Sequence, residues 1–214
     1  MTNDDTMKDT AETAGRTGDD SLSSDGWERR YEAGETGWDR GETSPALLRW
    51  LDQNVLVPCR ILVPGCGRGH EVIELASRGF DVTAIDFART PVRELTHRLT
   101  QAGLIADVLR ENVLCFATSD RFDAVYEQTS LCAIDPKHWM AYESRIFSNL
   151  KHGGQLFAVL MQSSKQQGPP FHCDPKRIKK VFHPSRWAWP RESFTIDHPV
   201  GMHEVAVVLT KLEK

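Results

Sequence analysis

The most constraining stretch of this chain is Leu62-Val63-Pro64-Gly65-Cys66-Gly67-Arg68-Gly69, an apolar run that enters a glycine-rich turn and leaves as a helix. Ile61, Leu62 and Val63 predict a short strand. Val72, Ile73, Leu75 and Ala76 predict the apolar side of the helix that follows, closed by Gly79. Glycines in such a turn remove the Cβ atoms that would keep a ligand away from backbone N–H groups. The next strand, Asp81 to Ile85, ends at Asp86, 21 residues beyond Gly65, where a carboxylate can accept hydrogen bonds from ribose hydroxyls. Strand, glycines and acid in register describe a site for adenosine and its ribose. A dinucleotide fingerprint would carry a further glycine where this chain has His70, and it commonly opens near the start of its domain, so a nicotinamide-dependent oxidoreductase is disfavoured.

Downstream the alternation continues. A helix opening near Pro91 runs to about Gln101, followed by a weaker strand from Ala106 to Arg110 and a strand from Phe122 to Tyr126. Pro136 to Leu150 predicts a helix with Trp139, Met140, Ile146, Phe147 and Leu150 on its apolar side. Gly153-Gly154 predicts a turn into a strand over Gln155 to Met161. A Pro-rich loop at 168–175 and a short basic helix precede two closing strands, Phe194 to Val200 and His203 to Leu212, joined at Gly201. The expected architecture is Rossmann-like α/β: a mostly parallel twisted sheet with helices on both faces and a C-terminal antiparallel hairpin. Upstream, aromatic residues begin at Trp27 and continue through Tyr31 and Trp38 to Trp50. Ser44 and Pro45 mark a helix start, with Ala46, Leu47, Trp50 and Leu51 on one face. Trp50 and Trp139 are expected in the core, and Trp187 and Trp189 as anchors of a loop.

Residues 1–24 hold almost no large apolar side chain, so an acidic disordered tail is expected there, with a single domain over 25–214 whose segment 25–58 covers the ligand. The first 26 residues carry seven acids and two bases against a net charge of −4 for the whole chain, which leaves the folded part near neutral. That balance offers no broad positive field for nucleic acid. The basic run Lys176, Arg177, Lys179 and Lys180 reads as a solvated helix face. No apolar run approaches a membrane span, and the opening residues show no export or organelle signal, so a cytoplasmic address is expected. Five widely spaced cysteines without a Cys-x-x-Cys pair suit reduced thiols rather than a disulfide framework. His172-Cys173-Asp174 is no metal cluster, because adjacent residues rarely point at one ion, and no metal is expected.

Several motifs in order resemble the thiopurine methyltransferase superfamily, and within it the halide and thiol methyltransferases. They are Trp27-Glu-Arg-Arg-Tyr31, Thr36-Gly-Trp38-Asp39-Arg-Gly41 ahead of Ser44-Pro45, Leu62-Val-Pro-Gly-Cys-Gly67, Ile85-Asp86, Phe122-Asp-Ala-Val-Tyr126, Leu131-Cys132-Ala133-Ile134 and Gly168-Pro-Pro-Phe171. The resemblance covers residues 27–175. It implies S-adenosylmethionine as cofactor and S-adenosylhomocysteine as product, on a class I methyltransferase fold. Trp27, Tyr31 and Trp38 are then expected to cover the cofactor, Gly65 to meet its amino-acid end with Cys66 and Gly67 also in the cofactor site, and Asp86 to hold the ribose. Aromatic faces suit a sulfonium cation. Where the family has an acid beside an aromatic near the adenine, this chain has Asn112 and Val113. Where the halide enzymes carry Asp-Tyr-Thr-Phe, it has Glu127-Gln128-Thr129-Ser130, so Glu127 and Gln128 are expected beside the methyl donor.

The expected chemistry is in-line methyl transfer to a small thiolate, sulfide or halide by a monomer, driven by proximity and desolvation, with no assigned catalytic residue. An oxygen or nitrogen acceptor on a small metabolite, with Glu127 as base, is the alternative enzyme. A non-catalytic cofactor-binding regulator is the alternative of another class.

Overall fold

The computed structural model describes residues 22–165 and 167–213. The expected disorder of residues 1–21 lies outside the described residues. The expected boundary at 24/25 cuts into a helix: α1 spans Ser24–Glu32, and the Ser23 hydroxyl caps it by accepting the Gly26 N–H. Ordered structure therefore reaches back past residue 25.

Pro45–Asp52 forms α2, with Pro45 in the first turn and Ser44 as its cap, and with Ala46, Leu47, Trp50 and Leu51 buried. Then follow β1 (Arg60–Pro64), α3 (His70–Ser77), β2 (Asp81–Asp86), α4 (Arg89–Ala102), β3 (Asp107–Arg110) and β4 (Phe122–Gln128). Two short 3₁₀ turns, Leu131–Ala133 and Pro136–His138, lead into α5 (Trp139–Asn149) and β5 (Leu150–Gln162). The chain continues as α6 (Pro175–Val181), β6 (Trp187–Ala188), β7 (Phe194–Asp197) and β8 (His203–Lys211). The sheet order is β3-β2-β1-β4-β5-β8-β6, with β7 also paired to β8. The strands from β3 through β5 run parallel, and β8 is antiparallel to β5, β6 and β7. The α/β architecture with its antiparallel C-terminal part is the expected one.

Strand periodicity sorts the apolar side chains onto two faces. Ile61, Val63, Ala124, Tyr126, Phe157 and Val159 pack with Leu47 and Trp50 of α2, Leu75 of α3 and Leu95 of α4. Leu62, Val125, Leu156, Ala158 and Leu160 pack with Trp139, Tyr142 and Ile146 of α5 and with Ile178 of α6. Each fully buried side chain of this size contributes about 1.5–3 kcal/mol. Trp187, wholly buried against Phe147 and Phe182, and Trp189, which donates to the Phe182 carbonyl, anchor the segment after α6 as expected. The basic run lies on α6, where Arg177 covers Trp139 and Lys179 covers Trp189.

Three details depart from expectation. Met140 is 59% exposed, because the chain enters α5 through the turn at Pro136 and the buried face is set by Trp139, Tyr142 and Ile146 instead. Gly153 and Gly154 do not end a turn; they sit inside β5, where the ladder shifts register between Phe122↔Leu150 and Ala124↔Gln155. Helix α4 starts two residues before Pro91 without a local side-chain cap. Its cap comes from α1: Glu28 accepts the N–H groups of Arg89 and Thr90 and the Thr90 hydroxyl, at 2.6, 3.0 and 2.8 Å. Burial opposes the charge on Glu28, but these bonds together outweigh it and hold its carboxyl below the usual value.

Candidate active site

The carboxyl ends of the parallel strands open into a cavity of about 760 Å³. Its first wall is the turn after β1. Gly65 has φ +59°, and a Cβ there would stand 2.9 Å from the Ser130 side chain, so only glycine lets this turn and the one after β4 meet. Gly69, at φ +71°, lies against Leu95 of α4 closely enough that a Cβ could not be accommodated. Between them, Gly67 donates its N–H to Asp86 Oδ2 at 2.9 Å, and Asp86 Oδ1 accepts the Ala88 N–H at 2.9 Å. Burial raises the Asp86 carboxyl, and the bonds from Ala88 and Gly67 work against that. A carboxylate has about four lone-pair sites, so Asp86 keeps capacity for a hydroxyl donor beyond its backbone bonds.

Residues 25–44 cross the mouth of the cavity as a strap. Trp38 meets Trp27 and Tyr31 edge to face, at centroid separations of 5.2 and 5.5 Å, and all three line the cavity. Burial, reinforced by nearby Asp86, keeps the Tyr31 phenol far above its ordinary value, so it is protonated. Asp39 fastens the strap to the glycine turn by accepting from Arg68 at 3.2 Å and bonding His70 at 3.0 Å. The His70 bond pulls the Asp39 carboxyl down to about 2 against the opposing effect of burial. Ser44 N donates to Glu71 of α3. At its far side the strap meets the β7–β8 hairpin: His198 bonds the Trp38 carbonyl, and Arg40 donates to Glu204 and to the Asp197 carbonyl.

Asn112 and Val113, after β3, line the cavity beyond Asp86. The Asn112 side-chain oxygen Oδ1 accepts the Leu114 N–H, which leaves the side-chain NH₂ as the donor end. At the end of β4 the structure separates two neighbours that sequence reasoning placed together. Gln128 lines the cavity, and its amide oxygen accepts the Tyr126 hydroxyl at 2.6 Å, so the amide nitrogen is left to face a ligand. Glu127 does not reach the cavity. Strand alternation turns it to the α5–α6 face, where it is 2% exposed and accepts the Leu131 N–H at 2.7 Å. Burial pushes its carboxyl up to about 7. The expectation of Glu127 beside the methyl donor is corrected: a residue between Tyr126 and Gln128 on a strand faces the other way.

Ten of the eleven sequence candidates therefore gather around one space: Trp27, Tyr31, Trp38, Gly65, Cys66, Gly67, Asp86, Asn112, Val113 and Gln128. Sequence reasoning missed Arg40, Cys132, Met161 and the hairpin residues Val200 and Met202, which also line it. Thr129 holds φ +58°, a conformation costing a non-glycine residue of order 1 kcal/mol, at the turn that faces the glycines. The loop Gly168-Pro-Pro-Phe171 closes a further side through Pro169 and Pro170, tied down where the Phe171 N–H meets the Cys132 carbonyl. His172, Cys173 and Asp174 do not converge: His172 Nδ1 accepts the Ser164 N–H, Cys173 is buried, and Asp174 caps α6.

The donors fit an adenosyl cofactor carrying a sulfonium. At Gly65 the space a Cβ would take is filled by Ser130, which keeps the turn close against the cavity wall, Asp86 keeps acceptor capacity for ribose, and the strap offers three aromatic rings to a cation.

The family model described as thiopurine S-methyltransferase matches residues 22–207. A curated relative from Arabidopsis thaliana, "Probable thiol methyltransferase 2", is 30% identical over 76% of this chain and 73% of its own length. "Thiopurine S-methyltransferase" of Vibrio cholerae is 26% identical over 73% of this chain and 79% of its own. Among solved structures, the Burkholderia thailandensis 1,6-didemethyltoxoflavin-N1-methyltransferase with bound S-adenosylhomocysteine superposes with a TM-score of 0.74. It is 19% identical and covers 90% of this chain and 88% of that one.

Proposed function

This chain belongs to the thiopurine S-methyltransferase family, and we propose that it methylates a small nucleophile that arrives already anionic: a thiolate, sulfide or halide. It is an S-adenosylmethionine-dependent methyltransferase. When bound, that cofactor supplies an electrophilic methyl on a cationic sulfur. The observation that carries the acceptor reading is the outward turn of Glu127, which leaves the end of β4 to present an amide at Gln128 rather than a base. An oxygen or nitrogen acceptor commonly needs a proton removed in the transition state. A thiolate or halide does not.

In this reading the chain's own residues position and dehydrate. Asp86 and Asn112 hold the ribose and adenine ends, and the Gly65–Gly67 turn admits the amino-acid end. Trp27, Tyr31 and Trp38 exclude water above the sulfonium. Cys132, Met161 and Met202 give the cavity a polarisable sulfur lining suited to a soft nucleophile. The reading takes the enzyme as a cytoplasmic monomer acting on a small molecule without a metal. Among the described residues no helix is long and apolar enough to cross a membrane.

The test is formation of S-adenosylhomocysteine with sulfide, aliphatic and aromatic thiols, iodide and a thiopurine, and with small phenols and amines as oxygen and nitrogen acceptors, each offered separately. Product with a sulfur acceptor or iodide supports the reading, and product only with an oxygen or nitrogen acceptor overturns it. A thiol has a pKa of about 8.5, so its rate should climb as pH approaches that value, while iodide should show no such climb.

A further inference from the structure

Arg40 follows Trp38 and Asp39 in the strap and lines the cavity, yet its side chain is only 7% exposed. Its guanidinium donates to Glu204 Oε2 at 3.1 Å and to the Asp197 carbonyl at 2.7 Å, while its Nε finds no partner among the described residues. Glu204 is wholly buried, and its second oxygen is likewise unpartnered. A buried ion pair with an unmet donor and an unmet acceptor is costly, since burial repays desolvation only when every polar atom is matched. The location gives the arrangement a use. Glu204 stands opposite Met161 in the β5–β8 ladder, and Met161, Val200 and Met202 line the cavity. Arg40 therefore belongs to the wall built by the end of β5 and the hairpin, a different wall from that of Gly65 and Asp86.

We propose that Arg40 is a specificity-determining residue that favours an anionic acceptor, with Glu204 as the internal counter-ion that sets how much of its charge the acceptor meets. The proposal rests on the methyl-transfer reading above and adds a residue and a charge to it. With Glu204 ionised, the pair is nearly neutral and an acceptor meets a screened cation. With Glu204 protonated, the guanidinium is uncompensated and its field reaches into the cavity that Arg40 lines.

The groups around Glu204 decide when each state prevails. Arg40 approaches from the strap, Glu71 from α3, Tyr126 and Glu127 from β4, Cys132 from the turn after it, and His198 from the hairpin beside Arg40. Burial pushes the Glu204 carboxyl up to about 7, aided by Glu127 and Glu71 and opposed by Arg40. Burial and Arg40 hold His198 below its ordinary value. The Tyr126 phenol and Cys132 thiol are held far above it by burial. Glu127 titrates in the same range as Glu204 but on the other face of the sheet, so replacing each carboxyl separately tells the two apart. The sign is then fixed: an anion that does not itself titrate should bind more tightly as pH falls through about 7.

Iodide is that anion. Its affinity can be read by calorimetry with S-adenosylhomocysteine present, and its KM by product formation, at about pH 6 and about pH 8. Arg40→Met should weaken iodide by about tenfold or more without a matching change in the KM for S-adenosylmethionine, and Arg40→Lys should restore part of the loss. Glu204→Gln should do the opposite, tightening iodide at the higher pH and abolishing its pH dependence, whereas Glu127→Gln should keep that dependence and move its midpoint to lower pH. Glu204→Gln weakening iodide alongside Arg40→Met would overturn the proposal, since a purely structural pair fails the same way from either side. So would unchanged affinity in Arg40→Met. Should no acceptor give product while the iodide affinities follow the expected pattern, the methyl-transfer reading falls and the anion subsite stands.

Discussion

At the scale of single residues, the site depends on what glycine permits and on which way a carboxylate points. Gly65→Ala places a Cβ 2.9 Å from Ser130 at a φ that L-residues rarely adopt. It should lower cofactor affinity by about tenfold or more while the fold survives, as read by calorimetry beside circular dichroism. Asp86→Ala should weaken the cofactor comparably, and it also orphans the Gly67 and Ala88 N–H groups. Glu127→Gln separates the acceptor readings. It should keep turnover with thiols and iodide within about twofold, because the carboxyl faces the α5–α6 packing. Collapse of turnover would instead return Glu127 to the role of base. The direction of Glu127 was legible in principle: on a strand whose Ala124 and Tyr126 share a face, residue 128 joins them and residue 127 cannot. Reading the run by motif position rather than by period concealed it.

At the scale of elements, the strap is the piece that walls one side of the cavity with aromatic rings. Its own aromatic spacing was readable from sequence, because Trp27 and Tyr31 lie four residues apart on one helix and Trp38 follows two glycines. Its anchors were not. Glu28 capping α4, Asp39 bridging Arg68 and His70, and Arg40 meeting Glu204 join residues separated by 61, 29 and 164 positions, and no local pattern encodes such pairings. The same holds for Val200 and Met202, which looked like ordinary hairpin residues until the hairpin was laid against the cavity. Asp39→Ala should free the strap from the glycine turn, raising the KM for S-adenosylmethionine several-fold and increasing accessibility of Trp38 to a fluorescence quencher. Acid should act alike, because the lowered Asp39 carboxyl gives stability that is present above the ordinary value near 3.8 and lost as pH falls toward about 2.

At the scale of the molecule, the strand–helix alternation made the parallel sheet and its closing hairpin readable, since those follow from periodicity and turn chemistry. Register did not follow: the irregular start of β5 and the placement of β8 between β5 and β6 are settled by packing on both faces. Two carboxyls buried within that packing, Glu127 and Glu204, are each pushed up to about 7 from an ordinary value of 4.5. A raised carboxyl favours the folded state below its unfolded value and surrenders that advantage as pH rises through the folded one. Melting temperature should therefore decline from about pH 5 to about pH 8, and the Glu127→Gln/Glu204→Gln double variant should flatten the decline. A wild-type curve that rises across the same interval would refute the assignment.

The strap also couples the order in which the chain is made to the moment a site exists. Its anchor on Arg68 closes a span of 29 residues, while its anchor on Glu204 closes one of 164. By loop-closure entropy the longer span costs only about 1.5 kcal/mol more, but during synthesis it is unavailable at any cost. A nascent chain that has exposed β1 through β4 already contains the glycine turn, Asp86, the aromatic rings and the Asp39 and Arg68 that fasten the strap. The wall built by Met161 and the hairpin, where the acceptor is proposed to bind, needs residues 197–211 to have left the ribosome. Ribosome-bound chains arrested before that point should retain S-adenosylhomocysteine on an affinity resin and fail to transfer a methyl group.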